Sequence, residues 1–242
     1  MDITKVTKPA RKVLNIKLKR CGAVIVAGGS ASRMGGIDKV MAPLGGEPLI
    51  VHSLRAFQTC DAVSEIVVVT REDLIVPITN LSKDFPKVTA VVAGGKTRQE
   101  SVRNGLNTLS GKVKLAAIHD GARPLITWQV IDRAVRAANS YGAAAPAIPV
   151  KDTIKVVAGG VVKDTPERST LQAVQTPQVF DFDMLRAAHK KLVQDGVEVT
   201  DDCAAMERLG MSVKIVAGDE RNLKVTTPMD LKIAELLLEE GL

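Results

Sequence analysis

Residues 27–39 read Ala-Gly-Gly-Ser-Ala-Ser-Arg-Met-Gly-Gly-Ile-Asp-Lys and directly follow an apolar run. A glycine-rich turn at the carboxyl end of a strand lets backbone N–H groups, here around Ala27, Gly28 and Gly29, approach phosphate oxygens. Arg33 and Lys39 add cationic charge to that turn. A strand-to-helix turn would account for the glycines, but two cations at this spacing are unneeded for a turn. The run contains neither GxxxxGK[ST] nor GxGxxG, so it is not a Walker P-loop or a dinucleotide fingerprint.

Asp120 closes a second apolar run, 115–118. At a strand's carboxyl end such a carboxylate can hold Mg²⁺ between triphosphate oxygens, or it could cap a helix ahead of Pro124. His119 is read as a packed or hydrogen-bonded histidine, and His52 and His189, in helical patterns, as surface or packing residues. Thr97 with Glu100 three residues on is a capping-box pattern, which gives the segment after Gly94-Gly95 a helix start.

The elements that must position these residues follow from periodicity. Apolar runs at 23–27, 65–70, 88–93, 115–118 and 143–148 read as buried strands. Helical spacing fills 49–57, 97–109 and 128–138, so strand and helix alternate as in βαβ units. The expected architecture is a Rossmann-like α/β fold: a mostly parallel sheet with helices on both faces and ligands at the strands' carboxyl ends. Residues 152–175 break the rhythm with a hairpin turning at Gly159-Gly160, read as a protruding arm. Helices at 183–194 and 201–209, a strand at 212–216 and a helix at 228–239, capped by Thr227 with Pro228 first, complete the order. Residues 14–18 alternate in a way that permits a short edge strand.

Composition narrows the partners. The chain has 242 residues and a net charge of +6. Residues 1–20 carry seven bases against one acid, which is the whole excess, and leaves 26 of each sign in the other 222. A generally basic, nucleic-acid-binding body is excluded; a basic arm is not. Residues 1–20 are expected to be an extension, and 21–242 one domain with its arm. No apolar run approaches a membrane span, and the first residues lack the apolar core of a secretory leader. The acid-poor extension lacks serine, carries more Lys than Arg and is not expected to be an organelle address. Three cysteines without a CxxC argue against a disulfide framework or zinc site and suit a reducing cytoplasm.

Arg33-Met34 ahead of Lys39, after a strand ending Ala-Gly-Gly, resembles the loop of nucleotidyltransferases that activate sugar or alcohol phosphates. Further blocks narrow the resemblance to the 2-C-methyl-D-erythritol 4-phosphate cytidylyltransferases. They are Gly-Gly-Lys-Thr-Arg-Gln-Glu-Ser-Val (94–102), His-Asp-Gly-Ala-Arg-Pro (119–124), Pro-Val-Lys-Asp-Thr-Ile-Lys (149–155), Gln-Thr-Pro-Gln (175–178), Val-Thr-Asp-Asp (199–202) and Asn-Leu-Lys-Val-Thr (222–226). They occur in family order and cover residues 22–240.

The resemblance implies cytidylyl transfer from CTP to the methylerythritol phosphate, releasing pyrophosphate, in the non-mevalonate route to isoprenoid precursors. It implies catalytic Arg33, Lys39 and Lys224, with Asp120 holding Mg²⁺. CTP would be bound by Ala27, Gly28, Gly29, Gly95, Lys96, Ser101, Asp120 and Gly121. The polyol phosphate would meet Arg123, Thr153, Arg168 and Thr200, and Thr153 and Arg168 would complete a partner's site in a homodimer built through the arm. Aromatics make up 2% of the chain, so cytosine is expected to be selected mainly by backbone groups rather than by stacking. Two positions depart from the family pattern: Ala31 stands where a glycine is usual, and Lys96 where an acid is frequent. The alternatives are a ribitol 5-phosphate cytidylyltransferase, a non-catalytic nucleotide-binding regulator, and nucleic-acid binding through the extension. The last would have to fall steeply with salt.

Overall fold

The protein is described by a computed structural model over residues 17–29 and 38–241. In chain order its elements begin with β1 (Cys21–Val26), the short pair β2 (Pro43–Leu44) and β3 (Glu47–Pro48), α1 (Leu49–Thr59), β4 (Val63–Thr70), α2 (Glu72–Leu81) and β5 (Val88–Ala93). Then come α3 (Arg98–Thr108), β6 (Leu115–Asp120), α4 (Trp128–Tyr141), β7 (Ala143–Pro149), the hairpin β8 (Val156–Ala158) and β9 (Val161–Asp164), and β10 (Gln172–Val174). The chain ends with β11 (Gln178–Asp181), α5 (Phe182–Asp195), α6 (Asp202–Glu207), β12 (Lys214–Ala217) and α7 (Pro228–Glu239).

The main sheet runs β10-β7-β11-β6-β1-β4-β5, with β12 also paired to β7. β1 is parallel to both β4 and β6, and β4 to β5. Side chains alternate between its two faces, as the pleat requires. Val24, Val67, Val69, Ala116, Ile118 and Phe180 pack with α3, α5 and α6. Ala23, Ile25, Ile66, Val68, Ala117 and Val179 pack with α1, α2 and α4 on the other face. Burial on both faces is why these strands read as continuous apolar runs. A glycine sets the distance of one helix: a β-carbon at Gly105 of α3 would stand 2.3 Å from Val24 Cγ1 and 2.9 Å from Val69 Cγ2.

Several expectations need correction. α2 is absent from the periodicity reading because Pro77 interrupts it and only Leu74 and Ile78 are buried; proline removes one backbone donor and reads as a breaker. β11 is also absent from that reading, yet it lies antiparallel between β6 and β7 in the middle of the sheet. Four residues are too few for a period to register. The arm is shorter than 152–175, because Gln172–Val174 has returned to the sheet against β7. Within it, β8 and β9 turn at Gly159 and Gly160, both with positive φ. Residues 14–16 of the proposed edge strand lie outside the described residues, and 17–20 are not a strand. Leu18 nevertheless packs on the core, and Arg20 O accepts N–H groups from Lys114 and Leu115. α7 starts as expected, with Thr227 and Asp230 forming a reciprocal capping box. Its Ala234, with Leu44, Leu49, Leu125 and Val225, makes a small third core.

Candidate active site

Because β1, β4, β5 and β6 are parallel, their carboxyl ends meet on one side of the sheet. The chain leaves β1 with Ala27 N–H donating to Val69 O (2.7 Å) and Gly121 N–H donating to Val26 O (2.8 Å). Gly94 N–H donates to Thr70 O (2.7 Å) at the end of β5. These exits surround a cavity of about 330 Å³, whose walls include Ala27, Gly28, Gly29, Lys39, Gly95, Lys96, Arg98, Ser101, Asp120 and Lys224. Four cationic side chains and one carboxylate therefore converge there, which suits a polyanion needing one further bridging cation.

Lys39 is carried by a tight turn. Asp38 accepts from Val40 N–H (3.0 Å) and pairs with Arg71, itself fixed to Asp73. A β-carbon at Gly29 would stand 2.8 Å from Lys39 Nζ, so the ammonium reaches over bare backbone. Arg33 and Ala31 lie outside the described residues.

The second wall is the Gly94-Gly95 turn. Ser101 is buried, accepts from Gly95 N–H (3.1 Å) and donates to Thr97 O (3.0 Å), so its hydroxyl shapes the turn. Glu100 N–H donates to Thr97 Oγ1 (3.1 Å), half of the expected capping box. The reciprocal bond is displaced by one residue: Glu100 Oε2 accepts from Lys96 N–H at 2.6 Å. A side chain at Gly95 would collide with Glu100, its β-carbon only 2.2 Å from Glu100 Cβ. Gly95 and Lys96 are exposed, which leaves their backbone accessible.

Asp120 ends β6 with 13% of its side chain exposed, one oxygen 2.7 Å from Lys224 Nζ and the other 3.4 Å from Arg98 Nε. Burial opposes its charge, but Arg98 and Lys224 overcome that and hold the carboxyl far below its usual range. Lys224 is aimed by its neighbours in sequence. Asn222 Nδ2 donates to Thr176 O (3.0 Å), and Val225 N–H donates to Ala122 O (2.8 Å). Among the described residues no cluster of three His, Cys, Asp or Glu could enclose a metal. The donor set does fit Mg²⁺, which is held characteristically by one or two carboxylates while phosphates and water complete its octahedron.

His119 has no part in the cavity. Its Nε2 faces Arg123 O (3.4 Å), an acceptor only, so that nitrogen carries the proton. Nδ1 then accepts from Thr176 Oγ1 (3.0 Å), which in turn accepts from Asp120 N–H (3.1 Å). Burial pushes the imidazole down to about 3, so it is neutral. In the unfolded chain it titrates near 6.5. The stability tied to its neutral form is complete above pH 6.5 and lost as pH falls towards 3, by up to about 1.4 kcal/mol per pH unit. Asp120 and Asp202, both depressed, add to the loss below about pH 4. Thermal melts should show a falling midpoint from pH 6.5 downward, and His119→Asn should flatten the portion above pH 4. A wild-type midpoint constant from pH 6.5 to 4 would contradict the buried neutral imidazole.

The remaining expected residues lie apart from the cavity wall. Arg123 donates to Asn222 O (2.6 Å) and so braces the Lys224 segment. Gly121 is buried at the β6 exit. Thr200 is exposed and directly precedes Asp201, the N-cap of α6. Thr153 and Arg168 are exposed on the arm, with Arg168 Nη1 donating to Lys151 O (3.1 Å). Arg98 is the residue that sequence reasoning passed over. The available signal was its position: it opens α3, where the helix dipole disfavours a cation unless an anion compensates.

Comparison with known proteins places the chain in a family. Residues 21–240 match the family model for 2-C-methyl-D-erythritol 4-phosphate cytidylyltransferase. The enzyme of that name from Caldanaerobacter subterraneus subsp. tengcongensis is 44% identical over 223 residues, covering 90% of this chain and 98% of the relative. That from Symbiobacterium thermophilum is 45% identical over 219 residues, covering 90% and 92%. Among solved structures, 4-diphosphocytidyl-2C-methyl-D-erythritol synthase from Anaerococcus prevotii superposes with a TM-score of 0.83 at 29% identity, covering 91% of this chain and 99% of that one. The cytidylyltransferase from Thermus thermophilus gives 0.75 at 31% identity, covering 89% and 98%.

Proposed function

The chain belongs to the 2-C-methyl-D-erythritol 4-phosphate cytidylyltransferase family, and from that membership we propose how its own residues carry the reaction. The enzyme transfers the cytidylyl group of CTP to 2-C-methyl-D-erythritol 4-phosphate, in isoprenoid precursor synthesis. A phosphate oxygen of the polyol forms a bond to the α-phosphorus, and the bond from that phosphorus to the β-bridging oxygen breaks. The products are 4-diphosphocytidyl-2-C-methyl-D-erythritol and pyrophosphate.

The attacking phosphate monoester has a second pKa near 6 and is largely ionised at neutral pH. No general base is required, and His119, engaged on both nitrogens, is not one. What must be overcome is repulsion between two anions, so positioning and electrostatic stabilisation carry the rate. The observation that carries this reading is the Asp120–Lys224 contact at the carboxyl end of β6, inside a cavity whose other charged side chains are all cations. Lys39, with Arg33, takes the triphosphate over the backbone of Ala27, Gly28 and Gly29. Lys224 faces the attacking side of the α-phosphate. Gly95 and Lys96 present backbone groups to cytosine, while Ser101 shapes their turn. Mg²⁺ held by Asp120 would neutralise charge across triphosphate oxygens.

Arg123, Thr200 and, from a second copy, Thr153 and Arg168 bind the polyol phosphate in this reading. The homodimer is supported by the arm itself. Val156, Val157, Val161 and Val162 are each about half exposed on a two-stranded hairpin, an apolar surface that an isolated chain would not favour. A cytoplasmic setting is supported by three buried cysteines, all free thiols. Among the described residues no helix is long and apolar enough to cross a membrane.

Pyrophosphate release measured with CTP and each alcohol separately tests the substrate. We expect 2-C-methyl-D-erythritol 4-phosphate to exceed ribitol 5-phosphate by about 10²-fold or more in kcat/KM. Equal values for the two would overturn the choice of alcohol.

A further inference from the structure

Arg98 occupies an unfavourable place for a cation, at the first position of α3, yet it is firmly held. Its Nη1 donates to Asp202 Oδ2 at 2.8 Å, while its Nε faces Asp120 Oδ1 at the longer 3.4 Å. Asp202 itself is 1% exposed and does not line the cavity. Its other oxygen accepts from His189 Nε2 at 2.9 Å, and its backbone N–H donates to Gln178 Oε1 at 3.0 Å. Gln178 lies on β11 and also donates to Asp201 Oδ2 at 2.7 Å, so the sheet holds the start of α6 that carries Asp202.

The two cations on Asp120 are therefore unlike. Lys224 is a point charge on a flexible stem, 40% exposed, against Oδ2. Arg98 is a planar fork whose other arm is anchored in a buried carboxylate. A lysine contact alone would let the Asp120 carboxylate pivot about its χ2 torsion. A guanidinium fixed at its far end restrains that rotation and leaves Oδ1, with its long contact, able to accept another partner.

We propose that Arg98, anchored by Asp202, is a positioning residue for cytidylyl transfer, turning the Asp120 carboxylate into the cavity. Asp202 acts on the reaction only through Arg98. The inference rests on the reading of Asp120 as the carboxylate that serves CTP and Mg²⁺. Groups that orient metal-binding ligands characteristically contribute 10–100-fold to metal affinity or activity.

The test uses the full chain with Asp202→Asn, Arg98→Lys and the double variant. It measures kcat, both KM values, the Mg²⁺ concentration giving half-maximal rate, and calorimetric binding of CTP with Mg²⁺ in the absence of the alcohol. Each single variant should lose about tenfold in kcat, need about tenfold more Mg²⁺ and bind CTP with Mg²⁺ about tenfold more weakly. KM for the polyol phosphate should change less than about twofold, and the double variant should be no worse than the more severe single one. His189→Gln separates positioning from folding, because it removes the other partner of Asp202. Its melting temperature should fall while kcat stays within about twofold. The proposal is overturned by normal kcat and Mg²⁺ dependence in Asp202→Asn, by multiplying losses in the double variant, or by a kcat loss in His189→Gln equal to that in Asp202→Asn. Should Asp202→Asn not fold, Arg98→Lys, which leaves the buried carboxylate a cation, decides the question by the same measurements. Asp120→Asn is measured alongside: normal turnover there would refute the Asp120 reading itself, whereas its inactivity beside a fully active Arg98→Lys would refute the positioning role alone.

Discussion

Lys224→Ala is expected to lower kcat by roughly 10²-fold while KM for CTP stays within about threefold of its original value. Lys224 Nζ is 2.7 Å from Asp120 Oδ2, at the end of the strand where, in the proposed reading, the attacking phosphate approaches. At a separation of about 4 Å and an effective dielectric near 20, one cation lowers the energy of an adjacent anion by about 4 kcal/mol. That would be roughly 10³ in rate if all of it appeared in the transition state. With 40% of the side chain exposed, solvent takes back part of this, and 10² is the expected remainder. Because the charge acts where two anions meet, the loss should fall on kcat and on KM for the polyol phosphate. Steady-state kinetics with each substrate varied in turn separate these terms. A variant with unchanged kcat would remove Lys224 from the reacting side. Lys224→Arg should recover part of the rate, since the charge survives while the reach and geometry differ.

How far the sequence exposes this site depends on the physical scale of each signal. The sheet is legible because strands buried on both faces leave continuous apolar runs, and the Thr227-Pro228-Asp230 start of α7 is legible because capping is local. Asp120 is legible by place, as a carboxylate at the end of such a run. β11 is not, since a four-residue strand acquires its identity from β6 and β7 on either side rather than from its own pattern. The same holds for the Arg98–Asp202 pair, 104 residues apart in the chain, which only the packing of α6 near α3 brings together. Ser101 marks an intermediate case. The family resemblance implies that its hydroxyl serves CTP, and the fold uses that hydroxyl to hold Gly95 N–H and Thr97 O. The expected capping box at Thr97 likewise survives with its return bond moved to Lys96 N–H, since Glu100 follows the sharp Gly94-Gly95 turn.

Lys39→Ala should reduce the chemical step by at least about 10²-fold, and unlike Lys224→Ala it should also weaken CTP binding. The two lysines line one cavity but have different structural supports. Lys39 is mounted on the Asp38 turn, which Arg71 fastens beside the end of β4, and its ammonium lies over Gly29 at the exit of β1. In the proposed reading, backbone N–H groups at that exit and the lysine charge together make a phosphate site, so the lysine would meet the triphosphate in the ground state as well as the departing pyrophosphate. Loss of one such donor costs about 2.7–4 kcal/mol in sites where charge develops. Single-turnover rates with saturating alcohol phosphate, together with calorimetric CTP binding, distinguish the two contributions; near-normal values of both would refute the assignment. Gly29→Ala gives an independent check from the opposite side. Its β-carbon would stand 2.8 Å from Lys39 Nζ, closer than real β-carbons approach, and 3.0 Å from Lys39 Cε, a tight contact. The flexible end of the lysine must then shift, so this variant should reproduce part of the Lys39→Ala defect with the lysine still present.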